Sequence, residues 1–307
     1  MPVRTGASPD FVATPNRGLA PPYRGRFAPS PTGLLHNGSL VTALASWLDA
    51  RAHNGSWLIR MEDLDASRCI PGAADAILST LAAFGLESDA PVMYQSTRHA
   101  AYAAALLHLD AADRCYRCTC SRSDSAGVYG GHCRDLRLQA ADAAWRLRLE
   151  HGANIRFTDG LQGECSASTA ALGDPIIFRR DHLAAYQLAV VVDDAAQGIT
   201  HVVRGADLLD STAWQIAIAT ALSLPVPRYA HVPLVTEPDG SKLAKSRRAL
   251  PIDLRNIPAA LVGALSLLQQ HPLKELTTAS VRDILGWAVE NWRPERLAGI
   301  RAVRLRS

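Results

Sequence analysis

The segment 23–65 is the part of the sequence that most constrains the fold. Its first residues, 23–28, are typical of a short strand, and the run Pro29-Ser30-Pro31-Thr32-Gly33 breaks that strand into a loop. Apolar residues then recur at helical spacing from His36 to His53, and an Asn-Gly pair ends the run. A second apolar strand, 57–61, follows. Strand, helix and strand in this order predict a βαβ unit, whose crossover connection requires parallel strands.

The rest of the chain continues the alternation of helices and strands, with one interruption at 114–175. Helical patterns cover residues 73–84, 97–112, 208–222 and, in the tail, 258–288. Apolar runs that we interpret as strands cover residues 189–192, 199–204 and 228–235. We therefore predict an α/β fold whose core is a doubly wound, Rossmann-like parallel sheet.

The interruption is rich in cysteine and glycine, and its short alternating stretches indicate strands. Cys118, Cys120 and Cys133 lie close together in the sequence, and thiolates of this kind select zinc. The spacing alone suggests Cys115 or His132 as a fourth ligand. Ordinary buried thiols without a metal are the alternative. We predict a small, strand-rich insertion that carries one structural zinc ion.

Length and composition favour an ordinary globular protein. The chain has 307 residues, of which 48% are hydrophobic and 20% charged, and its net charge of +3 permits a polyanionic partner without requiring one. It has no apolar run long enough to span a membrane and no signal-like stretch at the N-terminus. We expect a cytoplasmic protein with no membrane partner. Its predicted segments are a flexible leader (1–22), two halves of the core (23–113 and 176–257), the insertion (114–175) and a short helical C-terminal region (258–307).

Two short motifs suit a nucleotide. The run Leu35-His36-Asn37-Gly38-Ser39 lies where a loop opens a helix, so free backbone N–H groups and the positive helix end can meet a phosphate. The run 239–246 is a polar turn with lysines at Lys242 and Lys245, which could close over a triphosphate. Separately, an ordinary capped helix and a solvated basic loop explain these motifs better. They become informative together.

Together the two motifs resemble the paired nucleotide-binding motifs of class I aminoacyl-tRNA synthetases. Four further segments resemble the glutamyl branch of that class and lie in the same order, at residues 25–33, 60–65, 186–194 and 203–208. The resemblance covers about residues 24–250 and implies a class I catalytic core. It also implies that ATP, with Mg²⁺, is bound by His36, Gly38, Ser39, Lys242 and Lys245, and that His36 and Lys245 act in catalysis.

The length of the C-terminal region separates this chain from complete glutamyl-tRNA synthetases. Only 61 residues follow Ser246 in the 307-residue chain, so we expect no anticodon-reading helical domain. A stand-alone catalytic half of this type resembles the glutamyl-Q tRNA(Asp) synthetase family. The resemblance implies activation of glutamate without tRNA, followed by transfer to the queuosine base at the wobble position of tRNA(Asp). The alternatives are a truncated glutamyl-tRNA synthetase that charges the 3′ end of tRNA(Glu), a glutaminyl relative, and a catalytically silent zinc-containing RNA-binding module.

The same resemblance assigns the remaining site residues. Glutamate needs cations for its two carboxylates, for which Arg26 and Arg204 are suited, and an acceptor for its ammonium group, for which Glu62 is suited. Tyr186 could supply a wall and a hydroxyl group. The other residues expected at the glutamate site are Phe27, Ala28, Pro29 and Ser30. For the metal, the resemblance implies Tyr129 as the ligand beside Cys118, Cys120 and Cys133.

Two positions depart from the family pattern. Ser39 stands where the first motif usually has its second histidine, and Ala244 stands where a serine usually precedes the second lysine. The second departure removes one hydroxyl contact from the lysine loop.

Overall fold

The computed structural model describes residues 11–12, 22–121, 124, 127–237 and 252–305. Its helices are α1 (Asn37–Ala52), α2 (Ala73–Ala83), α3 (His99–Ala111), α4 (Thr169–Leu172), α5 (Tyr186–Ala196), α6 (Leu209–Ala221), α7 (Ile257–Leu267) and α8 (Val281–Glu290). Its strands are β1 (Phe11–Val12), β2 (Arg24–Phe27), β3 (Ser56–Met61), β4 (Met93–Tyr94), β5 (Cys115–Cys118), β6 (Ala144–Leu147), β7 (Asn154–Asp159), β8 (Gly163–Ser168), β9 (Ile176–Phe178), β10 (His201–Gly205), β11 (Arg228–Val232), β12 (Leu234–Thr236) and β13 (Ala302–Arg304). Short 3₁₀ turns connect several of them.

A parallel layer of five strands forms the centre of the molecule. β2 pairs in parallel with β3, β3 with β4, and β10 with β11. β10 lies beside β2, where the backbone N–H of Thr200 donates to the carbonyl oxygen of Arg24 at 2.9 Å. The order across the layer is therefore β4, β3, β2, β10, β11. The predicted βαβ unit and the parallel sheet are confirmed.

Helices cover both faces of this layer. Ile59 of β3 and Val203 of β10 belong to a hydrophobic cluster with α1, α7 and α8, whereas their neighbours Leu58 and Val202 belong to a second cluster with α6. Successive side chains of a strand point to opposite faces, so both strands are buried on both sides. This explains why the sequence shows them as continuous apolar runs.

Local chemistry sets both ends of α1. His36 caps its N-terminus by accepting the backbone N–H of Ser39 at 3.2 Å, and His53 lies at its C-terminal cap. The chain then turns at Gly55, where an added Cβ would lie 2.5 Å from the carbonyl oxygen of Tyr23. Only glycine fits so close to the neighbouring strand. The helix predicted between His36 and His53 is confirmed.

The strand predicted at 189–192 is wrong. This run lies inside helix α5, where Leu188, Ala189, Val190 and Val191 are buried against neighbouring helices. A short apolar run fits a buried helix as well as a buried strand, because it has no polar positions to reveal its period. The correction matters for the site, since it places Asp193 and Asp194 on a helix.

The predicted insertion consists of two antiparallel units. β5, β6 and β9 form one sheet, which extends to Phe178 and so continues past the predicted boundary at 175. β7 and β8 form a hairpin whose tip meets the core where Gly160 N–H donates to the Tyr229 carbonyl oxygen at 2.8 Å. The predicted leader lies outside the described residues except for 11–12 and 22. Its strand β1 pairs in parallel with β7.

The C-terminal region is only partly helical. After α7 and α8 the chain ends in β13, which pairs in parallel with β12. Pro233 divides the predicted strand 228–235 into β11 and β12, because proline has no N–H to continue the ladder.

Among the described residues, no helix combines the length and apolarity needed to cross a bilayer.

Candidate active site

A cavity of about 790 Å³ opens at the carboxyl ends of β2 and β10, beside the start of α1. Such crevices at the strand ends of a parallel sheet are where ligands bind in doubly wound folds. The cavity wall includes the following residues singled out by the sequence: Arg26, Phe27, Ala28, Pro29, Ser30, His36, Gly38, Ser39, Glu62, Tyr186 and Arg204. Lys242 and Lys245 lie outside the described residues. The structure therefore brings eleven candidates from distant segments around one cavity.

The start of α1 forms the end of the cavity that is suited to binding a phosphate. His36 Nδ1 accepts the backbone N–H of Ser39, and its Nε2 lies 3.2 Å from the Ser39 hydroxyl oxygen. An added Cβ at Gly38 would lie 3.2 Å from the His36 ring, so glycine leaves room for that ring to fold over the helix start. Ser39, which departs from the family pattern, thus holds the histidine by its backbone and its side chain.

A buried ion-pair network lies at the end of β2. Asp194 of α5 accepts two hydrogen bonds from Arg26, at 3.1 and 3.3 Å, and one from Arg60 Nη1 at 2.7 Å. Arg26 and Arg60 hold the pKa of the Asp194 carboxyl below its usual range, although burial opposes this effect. Arg26 donates its Nε–H and one Nη2 N–H to Asp194. Its Nη1 has no partner among the described residues.

Glu62 lies at the rim of the same network. Its side chain is 10% exposed, and its Oε1 lies 3.5 Å from Arg60 Nη2. Burial raises the pKa of Glu62, and Asp194 adds to this, while Arg60 and Arg26 act in the opposite direction. A bound cation would offset that burial cost. The geometry suits an ammonium group that lies in the cavity beside Glu62.

Arg204 and Tyr186 complete the wall. Arg204 donates to Gln215 Oε1 at 2.7 Å, to Thr212 Oγ1 at 2.8 Å and to His231 Nε2 at 2.9 Å. Burial raises the pKa of Tyr186, so its hydroxyl stays protonated and available as a donor. Sequence reasoning missed the partner His231. No signal within the strand could have found it, because it comes from β11 and reads as one polar residue in an apolar run.

The cysteine cluster forms a separate candidate metal centre. The sulfur atoms of Cys118, Cys120 and Cys133 lie within 4.8 Å of one another. The Tyr129 hydroxyl lies 3.5 Å from Cys118 Sγ and 3.9 Å from Cys120 Sγ. Three thiols and one phenol surround one point, which fits a four-coordinate metal ion with thiolate ligands.

The two ligands suggested by spacing do not join this group among the described residues. Cys115 and Cys118 point to opposite faces of β5, and Cys115 is buried in a different cluster, with Leu109 and Leu147. His132 contacts the Tyr129 ring edge-on, with ring centroids 5.9 Å apart. Tyr129 is therefore the fourth group at the cluster.

The groups of the cluster differ in how readily they ionise. Burial would raise the pKa of Cys133, but hydrogen bonds from the Thr119 backbone, Cys120, Tyr129 and Cys118 outweigh it and lower the pKa to about 7. Burial, with hydrogen bonds to Cys133 and Cys118, raises the pKa of Cys120 to about 11, and burial also raises the pKa of Tyr129. The Arg146 guanidinium lies 3.6 Å from the centroid of the Tyr129 ring. The surroundings thus favour the thiolate at Cys133 and the neutral form at Cys120 and Tyr129.

Comparison with known proteins agrees with the geometry. Residues 23–125 and 131–260 match the family model described as class I tRNA synthetases (E and Q), catalytic domain. Proteins named glutamyl-Q tRNA(Asp) synthetase are similar over most of their length. One from Pseudomonas aeruginosa PAO1 is 51% identical over 279 residues, which is 90% of this chain and 95% of that protein. One from Pseudomonas putida GB-1 is 50% identical over 280 residues, or 90% and 95% of the two chains.

The chain belongs to the glutamyl-Q tRNA(Asp) synthetase family of class I enzymes. Solved glutamyl-tRNA synthetases share the fold. The enzyme from Elizabethkingia anophelis superposes with a TM-score of 0.79 at 23% identity, covering 94% of this chain and 68% of that one. A glutamate tRNA ligase from Elizabethkingia meningosepticum, solved with its amino acid, has a TM-score of 0.78 at 24% identity, covering 92% and 66%. The family match spans the cavity walls and Cys118, Cys120 and Cys133, and it omits residues 126–130, where Tyr129 lies.

Asp194 offers a test of the buried network. Asp194→Asn should lower the free energy of unfolding by about 3–5 kcal/mol at neutral pH, because it leaves Arg26 and Arg60 buried without their shared carboxylate. The difference from the unsubstituted protein should shrink as the pH falls below about 4, since the unfolded carboxyl then binds a proton before the folded one does. Urea unfolding at several pH values measures both effects.

The matched control is Asp135→Asn, whose side chain is 87% exposed and pairs with Arg148 at the surface. Exposed pairs contribute little, so this variant should follow the unsubstituted protein at every pH. A constant difference between the Asp194 variant and the unsubstituted protein from neutral pH to pH 3 would contradict the assigned pKa direction.

Proposed function

We propose that this chain activates glutamate with ATP in the absence of tRNA and then transfers the glutamyl group to the queuosine base of tRNA(Asp). The observation that carries the proposal is one cavity in which the start of α1, at His36, faces Arg26 and Glu62. A phosphate-binding helix end and a site for a zwitterionic acid are thereby adjacent. The names of the similar Pseudomonas proteins support the choice of acceptor.

Glutamate binding follows from the charges on the wall. The Nη1 group of Arg26, left free by Asp194, offers N–H donors to a carboxylate, and Arg204 offers a second cation. The ammonium group is placed beside Glu62, where its positive charge lowers the raised pKa of that carboxyl and keeps it ionised. Tyr186 closes the side of the pocket.

In the first reaction a carboxylate oxygen of glutamate attacks the α-phosphorus of ATP. The new O–P bond forms as the bond to pyrophosphate breaks, which gives glutamyl-adenylate. The growing phosphate charge would be met by the N–H groups of α1, by His36 and by Lys245, and Mg²⁺ bound with ATP would supply further positive charge. The protein forms no covalent bond with either reactant, so correct placement of the two reactants supplies most of the rate enhancement.

In the second reaction a hydroxyl of the nucleic acid attacks the mixed anhydride. An ester forms, the bond to phosphate breaks, AMP leaves, and the hydroxyl proton passes to the surrounding solvent or a nearby base. We assign the hydroxyl to queuosine of tRNA(Asp). The cytoplasm, where tRNA is modified, is the compartment that this reaction requires.

We also propose that the cysteine cluster holds one structural zinc ion. Cys118, Cys120, Cys133 and Tyr129 supply four ligand atoms and leave no position for substrate. Cys118 ends β5, the other three residues follow that strand, and none of the four lines the cavity. Zinc there contributes folding energy to the insertion.

The proposed function predicts that glutamate is activated without tRNA. ATP–pyrophosphate exchange should depend on added glutamate and proceed with no tRNA present, because the wall that holds glutamate is already formed in the chain by itself. Exchange that begins only after tRNA is added would contradict the proposed function.

The acceptor distinguishes the proposal from a glutamyl-tRNA synthetase that charges the 3′ end. Labelled glutamate should attach to queuosine-containing tRNA(Asp) even after the terminal adenosine has been removed, since the ester forms at the wobble base. Loss of labelling on that shortened tRNA, with labelling of intact tRNA(Glu), would favour the alternative.

Lys245 is expected to act on the transition state. Lys245→Ala should lower the rate of adenylate formation roughly 100-fold or more, the effect of losing a strong electrostatic contact, with little change in glutamate affinity. Lys242→Ala is the control and should be milder. Single-turnover kinetics that show an unchanged rate and only weaker ATP binding would make the loop a binding clamp instead.

Zinc binding is tested on the cluster itself. Cys118→Ser or Cys133→Ser should release zinc and loosen the insertion, while binding of ATP is largely retained, because metal binding is coupled to local folding. Metal analysis after dialysis measures the loss. Cys165→Ser is the control, since Cys165 lies on β8 outside the cluster and should leave one zinc per chain. Unsubstituted protein prepared without chelators that contains no zinc would overturn the assignment.

A further inference from the structure

Three buried side chains, joined by hydrogen bonds, connect the insertion to the cavity wall. Asp159 ends β7, His231 lies on β11 and Arg204 lies on β10, and each is at most 4% exposed. Asp159 Oδ2 lies 2.5 Å from His231 Nδ1, and Arg204 Nε donates to His231 Nε2 at 2.9 Å. The chain joins residues that are 72 and 27 positions apart in the sequence. Of the three, only Arg204 lines the cavity.

The contacts admit one protonation state of His231. Because the Arg204 Nε–H is a donor, His231 Nε2 must accept, and therefore Nδ1 must carry the proton and donate it to Asp159. Burial, the largest effect, and Arg204 lower the pKa of His231, while Asp159 opposes them, so the ring is neutral at physiological pH. The carboxylate thus selects the tautomer that receives the arginine.

Backbone groups hold the Asp159 carboxylate in place. Its Oδ1 accepts the N–H groups of Leu161 at 3.0 Å, Gln162 at 2.9 Å and His231 at 3.1 Å. The turn of the β7–β8 hairpin therefore determines where Oδ2 points. The same three N–H groups would orient an asparagine amide with its oxygen toward them and its NH₂ toward His231.

The protein already occupies most of the hydrogen-bonding capacity of Arg204. Nε serves His231, one Nη1 N–H serves Gln215, and the two Nη2 N–H groups serve Thr212 and the Leu208 carbonyl oxygen. An arginine has five N–H donors, so these contacts leave one Nη1 N–H without a partner among the described residues. A guanidinium held on so many sides has a fixed orientation before substrate arrives.

We propose that Asp159 and His231 are positioning residues for glutamate recognition: the β7–β8 hairpin fixes the histidine tautomer, and the histidine fixes the orientation of Arg204 at the cavity. This inference rests on the proposed function in one respect, namely that Arg204 meets glutamate. It gives the hairpin, which has no cavity-lining residue among those described, an effect on substrate binding that acts through His231 and Arg204.

Asp159→Asn tests the tautomer argument. The asparagine NH₂ would face His231 Nδ1–H, and a shift of the proton to Nε2 would relieve that conflict only by creating another with Arg204 Nε–H. We expect the glutamate KM in tRNA-independent exchange to rise roughly 10- to 100-fold, the range for a lost or reversed hydrogen bond to a charged group, with the ATP KM unchanged.

Two substitutions of His231 separate positioning from packing. His231→Leu removes the acceptor and should raise the glutamate KM in the same way, whereas His231→Gln keeps an acceptor near the Nε2 position and should restore most of the affinity. His201→Gln is the matched control, because His201 stacks on Tyr23 and does not contact Arg204. It should leave both KM values unchanged.

Nitrogen NMR of histidine-labelled protein supplies a readout that does not depend on activity. His231, assigned by the loss of its signals in His231→Gln, should show a protonated Nδ1 and an unprotonated Nε2 in the unsubstituted protein. The opposite tautomer, or a protonated ring at pH 7, would overturn the proposal whatever the kinetics of the variants, and the assignment needs only His231→Gln to fold.

The kinetic outcomes are equally decisive. Equal changes in the glutamate and ATP KM values, or no change in either, would mean that Asp159 and His231 have only a structural role. Unsubstituted protein that shows no glutamate-dependent exchange would instead refute the proposed function, so the two failures are distinguishable.

Discussion

The carboxylate of Asp194 is the interaction on which the candidate site depends. It lies on α5 and binds Arg26 of β2 and Arg60 of β3, so one buried charge joins a helix to two neighbouring strands. Removing the Asp194 charge would leave Arg26 and Arg60 without their shared carboxylate in a low-dielectric interior, which is far more costly than losing a surface pair. The same bond orients Arg26, because Asp194 takes its inner donors and leaves Nη1 free.

Parallel strand order explains why segments far apart in the sequence meet at one cavity. β2 and β10 are adjacent in the sheet and run in the same direction, so their carboxyl ends, with Arg26 and Arg204, open on the same edge. The start of α1 lies at that edge because the helix must return along the face of the sheet. One topology thus brings the N–H groups at the start of α1 and the two arginines, Arg26 and Arg204, to the same cavity.

Sequence patterns could predict the parts of this arrangement that are local. The start of a helix near His36, its end at Asn54-Gly55 and the βαβ unit follow from local patterns, and the structure has all three. The helix at 189–192 could not be predicted, because four apolar residues have no period. The contact between Asp159 and His231 was also beyond prediction, since it depends on how a hairpin packs against a strand 72 positions away.

The predicted insertion is physically two structures with different connections. The cysteine cluster lies at the end of β5 and in the segment between β5 and β6. The β7–β8 hairpin instead reaches the parallel sheet and is connected to Arg204 through His231. Nothing in the hydrogen-bond chain from Asp159 to Arg204 passes through Cys118, Cys120 or Cys133. The candidate metal centre and the proposed positioning residues therefore rest on different hydrogen bonds. A continuous stretch of sequence here serves two independent structural purposes.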